Sequence, residues 1–317
     1  MKSISRKIVA TVPRVILGLF FCVSAVLKLI SLTDFELYVF SFGFASFDLC
    51  SVAARLLVAG EAVLGLGLLS GWWWKFTSAL TALLLLGFSG FLFWRLSLGD
   101  EASCHCFGTL VDMNPSQSLW KNAACMLLLL SVALCGGGWQ IPFPKRARLW
   151  TASAIGLVLL IAICIINPPD AYFRIFRGSS SDLNTAAFED AGVSPSGRKI
   201  VCFYSPYCEH CRHCIAKVAG IIRRNGLSTD DFFCIFMNMG DGSEDRIHEL
   251  FENEGAGIEL PYILLEPETF IPITNGSIPL VCLFEDSALI KEYDLLRLDE
   301  VQLSDFLCSC LLRHVFS

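Results

Sequence analysis

The stretch Cys202-Phe-Tyr-Ser-Pro-Tyr-Cys208-Glu-His-Cys211 decides how this chain is read. Lys199 to Tyr204 is rich in β-branched and aromatic residues and predicts a buried strand. Ser205 and Pro206 break it, and Cys208-Glu209-His210-Cys211 leads into a helix-forming run, Arg212 to Arg224. Two thiols in a CxxC at a strand-to-helix junction have a definite chemistry. The first sits among the unpaired N–H groups of a helix N-terminus, where thiolate is favoured and the pKa falls. The second lies about one turn later, close enough to close a disulfide on the first.

The arrangement resembles the active site of the thioredoxin superfamily, and its strength lies in the context more than in the CxxC. A metal reading competes: Cys208, Cys211 and Cys214 with His210 and His213 could hold zinc or part of an iron–sulfur cluster. A ferredoxin-type run wants a fourth cysteine after three more intervening residues, where this chain has Val218. No separate CxxC stands elsewhere to complete a zinc site of four cysteines. Redox chemistry is the favoured reading, and no bound metal is expected.

Outside this stretch, composition sets the architecture. Of 317 residues 54% are hydrophobic and 17% charged, with a mean hydropathy of +0.59, which is too apolar for an ordinary soluble protein. The charge is divided unevenly. Residues 1–167 hold 12 of the 24 Lys and Arg but only 7 of the 30 Asp and Glu, leaving the remainder of the chain strongly acidic. A membrane domain followed by an acidic soluble domain is expected, and the acidity argues against nucleic-acid binding. Fifteen cysteines is a high count, but those inside apolar segments read as small buried hydrophobes.

Five segments are long and apolar enough to span a membrane: 8–30, 52–69, 76–98, 119–135 and 149–166. The length of the first, and the lack of a small-residue cleavage signature, argue against a removable signal peptide. Lys2, Arg6, Lys7, Lys75, Lys145, Arg146 and Arg148 fall on one side of these spans, which the positive-inside rule makes the cytoplasm. The opposite loops, 31–50 and 99–118, carry Asp34, Glu36, Asp48, Asp100, Glu101 and Asp112 and no Lys or Arg. Arg55 and Lys121, just inside the following spans, run mildly against this. An odd number of spans delivers the chain after Pro168 to the outer side. The first outer loop is rich in aromatics (Phe35, Tyr38, Phe40, Phe42, Phe44, Phe47). It is expected to lie in the membrane interface, as an amphipathic helix or re-entrant cap or as an ordinary aromatic belt.

The second outer loop carries Ser103-Cys104-His105-Cys106-Phe107-Gly108, two thiols one residue apart and candidates for an easily reduced disulfide. Followed by Ser118-Leu-Trp-Lys-Asn122, it resembles the methylamine-utilisation E (MauE) family, relatives of the DoxX membrane proteins. Arg14-Val-Ile-Leu-Gly18, Ser24-Ala-Val-Leu-Lys28-Leu and the mid-span acid Glu61 echo the same pattern. The resemblance covers about residues 8–135, and the fifth span reads as a connector. An ionised Glu61 is costly in mid-membrane, so it should be protonated or paired, with Lys28 or Arg95 in reach. A structural pair and a proton or quinone site both remain open for it.

Residues 168–198, polar and without a hydrophobic period, read as a linker. From Lys199 on, strands at 199–204, 232–238, 260–265, 280–284 and 288–293 alternate with helices at 212–225, 243–254 and 300–313, and the whole resembles a thioredoxin-like domain. Ser277-Ile-Pro279-Leu-Val-Cys-Leu-Phe284 then matches the superfamily's cis-proline strand facing the CxxC. The resemblance implies a cis Ile278-Pro279 bond and an Ile278 backbone free to pair with a bound peptide. Pro279 as a mere edge residue is the plainer alternative. Tyr207 stands where thioredoxins often have Trp, and His210 before the second thiol resembles the more oxidising members. Cys214 adds a third thiol that resolves a mixed disulfide or packs in the core. Cys202, Cys234 and Cys282 read as core, and Cys308 and Cys310 point to different faces of a helix.

The expected fold is a membrane helical bundle plus a soluble α/β thioredoxin-like domain, in the cytoplasmic membrane of a bacterium with that domain on the periplasmic side. The expected function is a membrane-anchored thiol–disulfide oxidoreductase acting on cysteine-containing extracytoplasmic proteins. Cys208 would be the nucleophile, Cys211 its resolving partner, and Cys104 and Cys106 the pair that exchanges electrons with them. The architecture resembles fusions of quinone-linked disulfide-forming bundles to thioredoxin domains. That resemblance implies a membrane quinone as carrier and no covalently bound cofactor. The rivals are a non-catalytic assembly factor that holds a secreted partner, and metal delivery through the Cys/His cluster.

Overall fold

The computed structural model of the chain describes residues 2–71, 73–97, 113–140, 145–176, 183–192 and 195–314. It divides into two units, Met1–Phe35 with Val52–Asn167, and Glu36–Ser51 with Pro168–Ser317.

The first unit is helical. α1 (Lys2–Ile30), α3 (Phe47–Ser70, after the short α2, Leu32–Phe40), α4 (Trp74–Ser97), α5 (Pro115–Cys135) and α6 (Lys145–Ile166) correspond to the five expected spans. Four of them have the length and composition to cross a membrane by themselves. The fifth, α6, passes that test only together with α7 (Asp170–Phe176), which follows it after a short break. Ile8, Val12, Ile16, Leu19, Val23 and Val26 face outward on α1 at helical spacing, the stripe a lipid-facing helix presents. The inward stripe supplies Leu17 and Phe21, which meet Leu68, Leu85, Cys125 and Leu129. α1 and α3 approach through glycines: a Cβ on Gly65 would lie 2.6 Å from Cys22 Sγ and 2.9 Å from the Gly18 carbonyl oxygen. Small residues at such crossings let membrane helices pack where no hydrophobic force drives them together.

The second unit is a thioredoxin-like α/β domain. Its strands β1 (Arg198–Tyr204), β2 (Phe232–Met237), β3 (Tyr262–Leu265), β4 (Leu280–Glu285) and β5 (Ala288–Tyr293) form one mixed sheet in the order β3-β2-β1-β4-β5. β1 runs parallel to β2 and antiparallel to β4. As the central strand it is covered on both faces, which explains its unbroken apolar run. Ile200, Cys202 and Tyr204 point into a core shared with α9 (Glu209–Asn225), α10 (Ser243–Asn253) and α12 (Glu300–His314). Val201 and Phe203 point the other way, toward α8 (Thr185–Asp190) and α11 (Pro267–Thr274).

α11 is not among the expected helices, and two longer stretches also differ from their sequence reading. Residues 168–198 carry more structure than a linker: Asp170 is buried, Leu183 N–H donates to the Glu292 carboxylate at 3.1 Å, and Leu183 and Phe188 join the core. The aromatic outer loop, expected in the membrane interface, belongs from Glu36 onward to the second unit. Leu37, Phe40, Phe47 and Cys50 are buried in the thioredoxin-like unit's own core, against Ile215, Val218 and Ile222 of α9. Phe44 alone of these aromatics is strongly exposed, at 73%.

Candidate functional site

β1 ends at Tyr204, and Cys208 is the N-cap of α9, with extended backbone at φ −89° and ψ 120°. A strand leaving the sheet centre thus delivers one thiol directly to a helix N-terminus. The Cys211 N–H donates to Cys208 Sγ at 3.3 Å, and the Ser205 N–H donates to Cys211 Sγ at 3.4 Å. Cys208 is half-buried, whereas Cys211 has no exposed surface.

The two thiols are therefore driven apart electrostatically. The hydrogen bond from the Cys211 thiol is the main cause that lowers Cys208, to about 6. The backbone N–H groups of Cys211 and His210 and the His210 charge add to it against partial burial. Burial, then the hydrogen bond given to Cys208, pushes Cys211 far above the ordinary thiol range. At neutral pH one sulfur is mostly thiolate and the other holds its proton, the division of labour that nucleophile and resolving thiol require.

His210 and Tyr207 are both exposed beside Cys208, Tyr207 at 60%. The Ile278-Pro279 bond is cis, as the resemblance implied. Register explains its position: Phe203 pairs with Leu280, so Ile278 and Pro279 lie alongside the exit of β1, where the chain turns toward Cys208. Cys208 and Ile278 pack against the same core.

Cys214 lies in the interior, accepts a hydrogen bond from the Tyr204 hydroxyl at 3.7 Å, and is pushed up to about 12, chiefly by burial. That is the core-packing alternative of its two sequence readings. Cys202, Cys234 and Cys282 are fully buried, while Cys308 is exposed. Among the described residues no three His, Cys, Asp or Glu side chains converge in a way that could hold a metal ion. The Cys/His cluster that sequence spacing suggested is dispersed, with Cys214 inside and His210 outside. Cys104 and Cys106 lie outside the described residues.

Glu61 belongs to the other unit. It pairs with Lys28, not Arg95, and accepts a hydrogen bond from Ser24 Oγ at 3.1 Å. Lys28 also lies over the Phe35 ring, 5.4 Å from its centroid. Beside the pair is a cavity of about 50 Å³ that also meets Phe20, Phe88, Lys121 and Asn122. Asn122, singled out in the sequence, donates to Ser89 Oγ at 3.1 Å. The Ser205 N–H contact to Cys211 escaped sequence reading. Its only sign was the strand break itself.

Residues 6–136 match the family model described as Methylamine utilisation protein MauE. The chain is also similar to "Protein TlpB" of Flavobacterium psychrophilum, 24% identical over 318 residues that cover 83% of each. No solved structure matches.

Proposed function

We propose that the chain is a membrane-anchored thiol–disulfide oxidoreductase whose working pair is Cys208 and Cys211. The observation that carries this is the opposed state of the two sulfurs, one lowered to about 6 at a helix N-terminus and the other buried and protonated. In exchange, the Cys208 thiolate attacks one sulfur of a substrate disulfide. A mixed disulfide forms and the other substrate sulfur leaves as thiolate. Cys211 then gives up its proton, its sulfur attacks Cys208 Sγ, and the second substrate sulfur leaves as the Cys208–Cys211 disulfide closes. Two electrons have passed from the pair to the substrate. Oxidation of a substrate dithiol is the same sequence reversed. Ile278 and Pro279 are the proposed edge along which the substrate chain docks.

The substrates are proposed to be cysteine-containing proteins of the outer compartment. Support comes from the unit itself. Glu36–Ser51 and Pro168–Ser317 fold together, so both belong to one side of the membrane. The chain between them must then cross an even number of times. α3, α4 and α5 make three, which leaves α6 as the fourth. With α1 that is five spans, and the basic residues of the intervening loops support the cytoplasm as the other side. Reporter fusions after Cys135 and after Pro168 should read cytoplasm and exterior respectively. The reverse pattern overturns the assignment.

Electrons are proposed to pass between the Cys208/Cys211 pair and Cys104/Cys106, and from there to a lipid-soluble carrier of the quinone class. The Glu61 cavity does not fit such a ring: about 50 Å³ is room for a few water molecules. No step is therefore routed through it. The test is non-reducing peptide mapping of Cys211→Ser in its membrane, where Cys208 cannot be released by its neighbour. A Cys208 link to Cys104 or Cys106 should accumulate. Links only to secreted proteins would make the bundle an anchor, and no links at all would end the oxidoreductase reading.

A further inference from the structure

We propose that the segment Glu36–Ser51, between the first two spans, is a built-in cover for the thiol-bearing helix α9. By this proposal the thioredoxin-like unit completes its core only when this segment is seated on it. The inference builds on the role given to α9 above and adds what holds that helix.

Contacts at three levels along the second half of α9 carry it. Gly220 leaves a gap that the Phe40 ring fills: a Cβ there would lie 2.4 Å from one ring carbon and 2.6 Å from the next. One turn earlier, Lys217 is 1% exposed and its ammonium is shared among three pieces of chain. It donates to Asp170 Oδ2 at 2.6 Å and to the Leu295 carbonyl at 3.2 Å, and it lies 4.1 Å from the centroid of the Phe47 ring. One turn later, Arg224 pairs with Glu300, which also accepts the Phe47 N–H at 3.2 Å, and Arg223 donates to the Ser41 carbonyl at 3.2 Å. Phe40 and Phe47 themselves meet edge to face, 5.4 Å between centroids.

A buried ammonium is costly unless paired and hydrogen-bonded, and an aromatic face partly offsets that cost. Lys217 would be a poor residue to bury on a free-standing helix. It is tolerated because Asp170 and Phe47 come to it. Each of those residues sits close to a point where the chain leaves the unit, at Asn167/Pro168 and Ser51/Val52. The helix whose first turn holds Cys208 is thus fixed at its middle to both of these chain segments.

Cys50 reports whether the cover is seated, because it is 3% exposed and belongs to the same core. In the full-length protein in membranes, Gly220→Ala should raise the rate of Cys50 alkylation at least about tenfold, the scale that overpacking a core implies. Phe40→Ala should raise it as well. In the Phe40→Ala background the same Gly220→Ala change should leave the rate unchanged or lower it, because the obstructing ring is gone and Ala suits a helix better than Gly. Lys217→Met provides a second route to the same rise. Equal effects of Gly220→Ala in both backgrounds, or no effect in either, would overturn the proposal. Cys50 labelling does not depend on exchange at Cys208, so its failure leaves the oxidoreductase reading standing, and loss of exchange alone leaves the cover standing.

Discussion

At the start of α9 the Cys208 thiolate is held by N–H and S–H donors and remains half exposed; inside the bundle Lys28 and Glu61 satisfy each other and are shut away. The difference is in what stabilises the charge. Donors fixed by a helix terminus stay in place when an incoming sulfur arrives, so the charge is available for chemistry. A counter-ion that is itself buried must be displaced first. The first arrangement is suited to catalysis and the second to holding two helices together, although both present ionisable groups next to a cavity or surface.

Removing the reactive member gives the largest expected effect. Cys208→Ala should abolish dithiol–disulfide turnover, whereas replacing both members of the bundle pair, Lys28→Met with Glu61→Leu, should leave turnover measurable. A dead double variant that is still fully folded would mean that the bundle pair is part of the electron path and the contrast is false.

Breaking the buried pair on one side only should cost stability more than activity. Glu61→Leu leaves Lys28 without its carboxylate partner at 4% exposure, and losing one partner of a buried pair costs about 3–5 kcal/mol. The double variant should recover most of that, because two apolar side chains need no partner. Thermal unfolding in detergent compares the two, and equal destabilisation by single and double would show that the ions do not act as a pair.

The pH dependence sharpens the other side of the comparison. Alkylation of Cys208 should have its midpoint near pH 6, with Cys211 unreactive over the neutral range. Cys211→Ala should move that midpoint up the most, since its thiol is the main stabiliser, and His210→Ala should move it up less. The sign for stability follows from the depressed value. The Cys208 contribution to the reduced fold is complete above the ~8.5 of a free thiol and is lost as pH falls through about 6. Urea unfolding of reduced protein against Cys208→Ala from pH 8.5 to 5 checks this (the difference should shrink toward the acid end).

These contrasts were unevenly legible in the sequence. The run Lys199–Tyr204 followed by Cys208 and Cys211 could be read directly, because strand, break and helix N-terminus are local patterns and so is the chemistry they create. The spans were legible for the same reason. α11 (Pro267–Thr274) is not among the helices expected from the sequence, since its eight residues carry two prolines, and Pro267 opens it at a position where its missing N–H costs nothing. The place of Phe40 and Phe47 could not be read: an aromatic cluster next to a span suits lipid as well as it suits a protein core. The residue that decides between them, Gly220, is 180 positions further along the chain from Phe40. Asp170 looked like part of a polar linker, and nothing near it in sequence announces Lys217 as its partner.

The smallest expected effect concerns Cys214, one turn along α9 from Cys211. The same helix carries a thiol made reactive and a thiol made inert, and only their surroundings differ. Cys214 has no exposed surface, accepts the Tyr204 hydroxyl, and is pushed up to about 12, so at neutral pH it keeps its proton. A protonated, enclosed sulfur is a poor nucleophile toward a mixed disulfide at Cys208. Cys214→Ala should therefore leave turnover and the Cys208 alkylation midpoint unchanged. It should cost only about 1 kcal/mol, for a small void and a hydroxyl that loses its acceptor. Steady-state turnover and the alkylation profile, measured on one preparation, are the check. If turnover collapses while the Cys208 midpoint holds, Cys214 is resolving the mixed disulfide. In that case burial does not separate the working thiols of this helix from the packed ones.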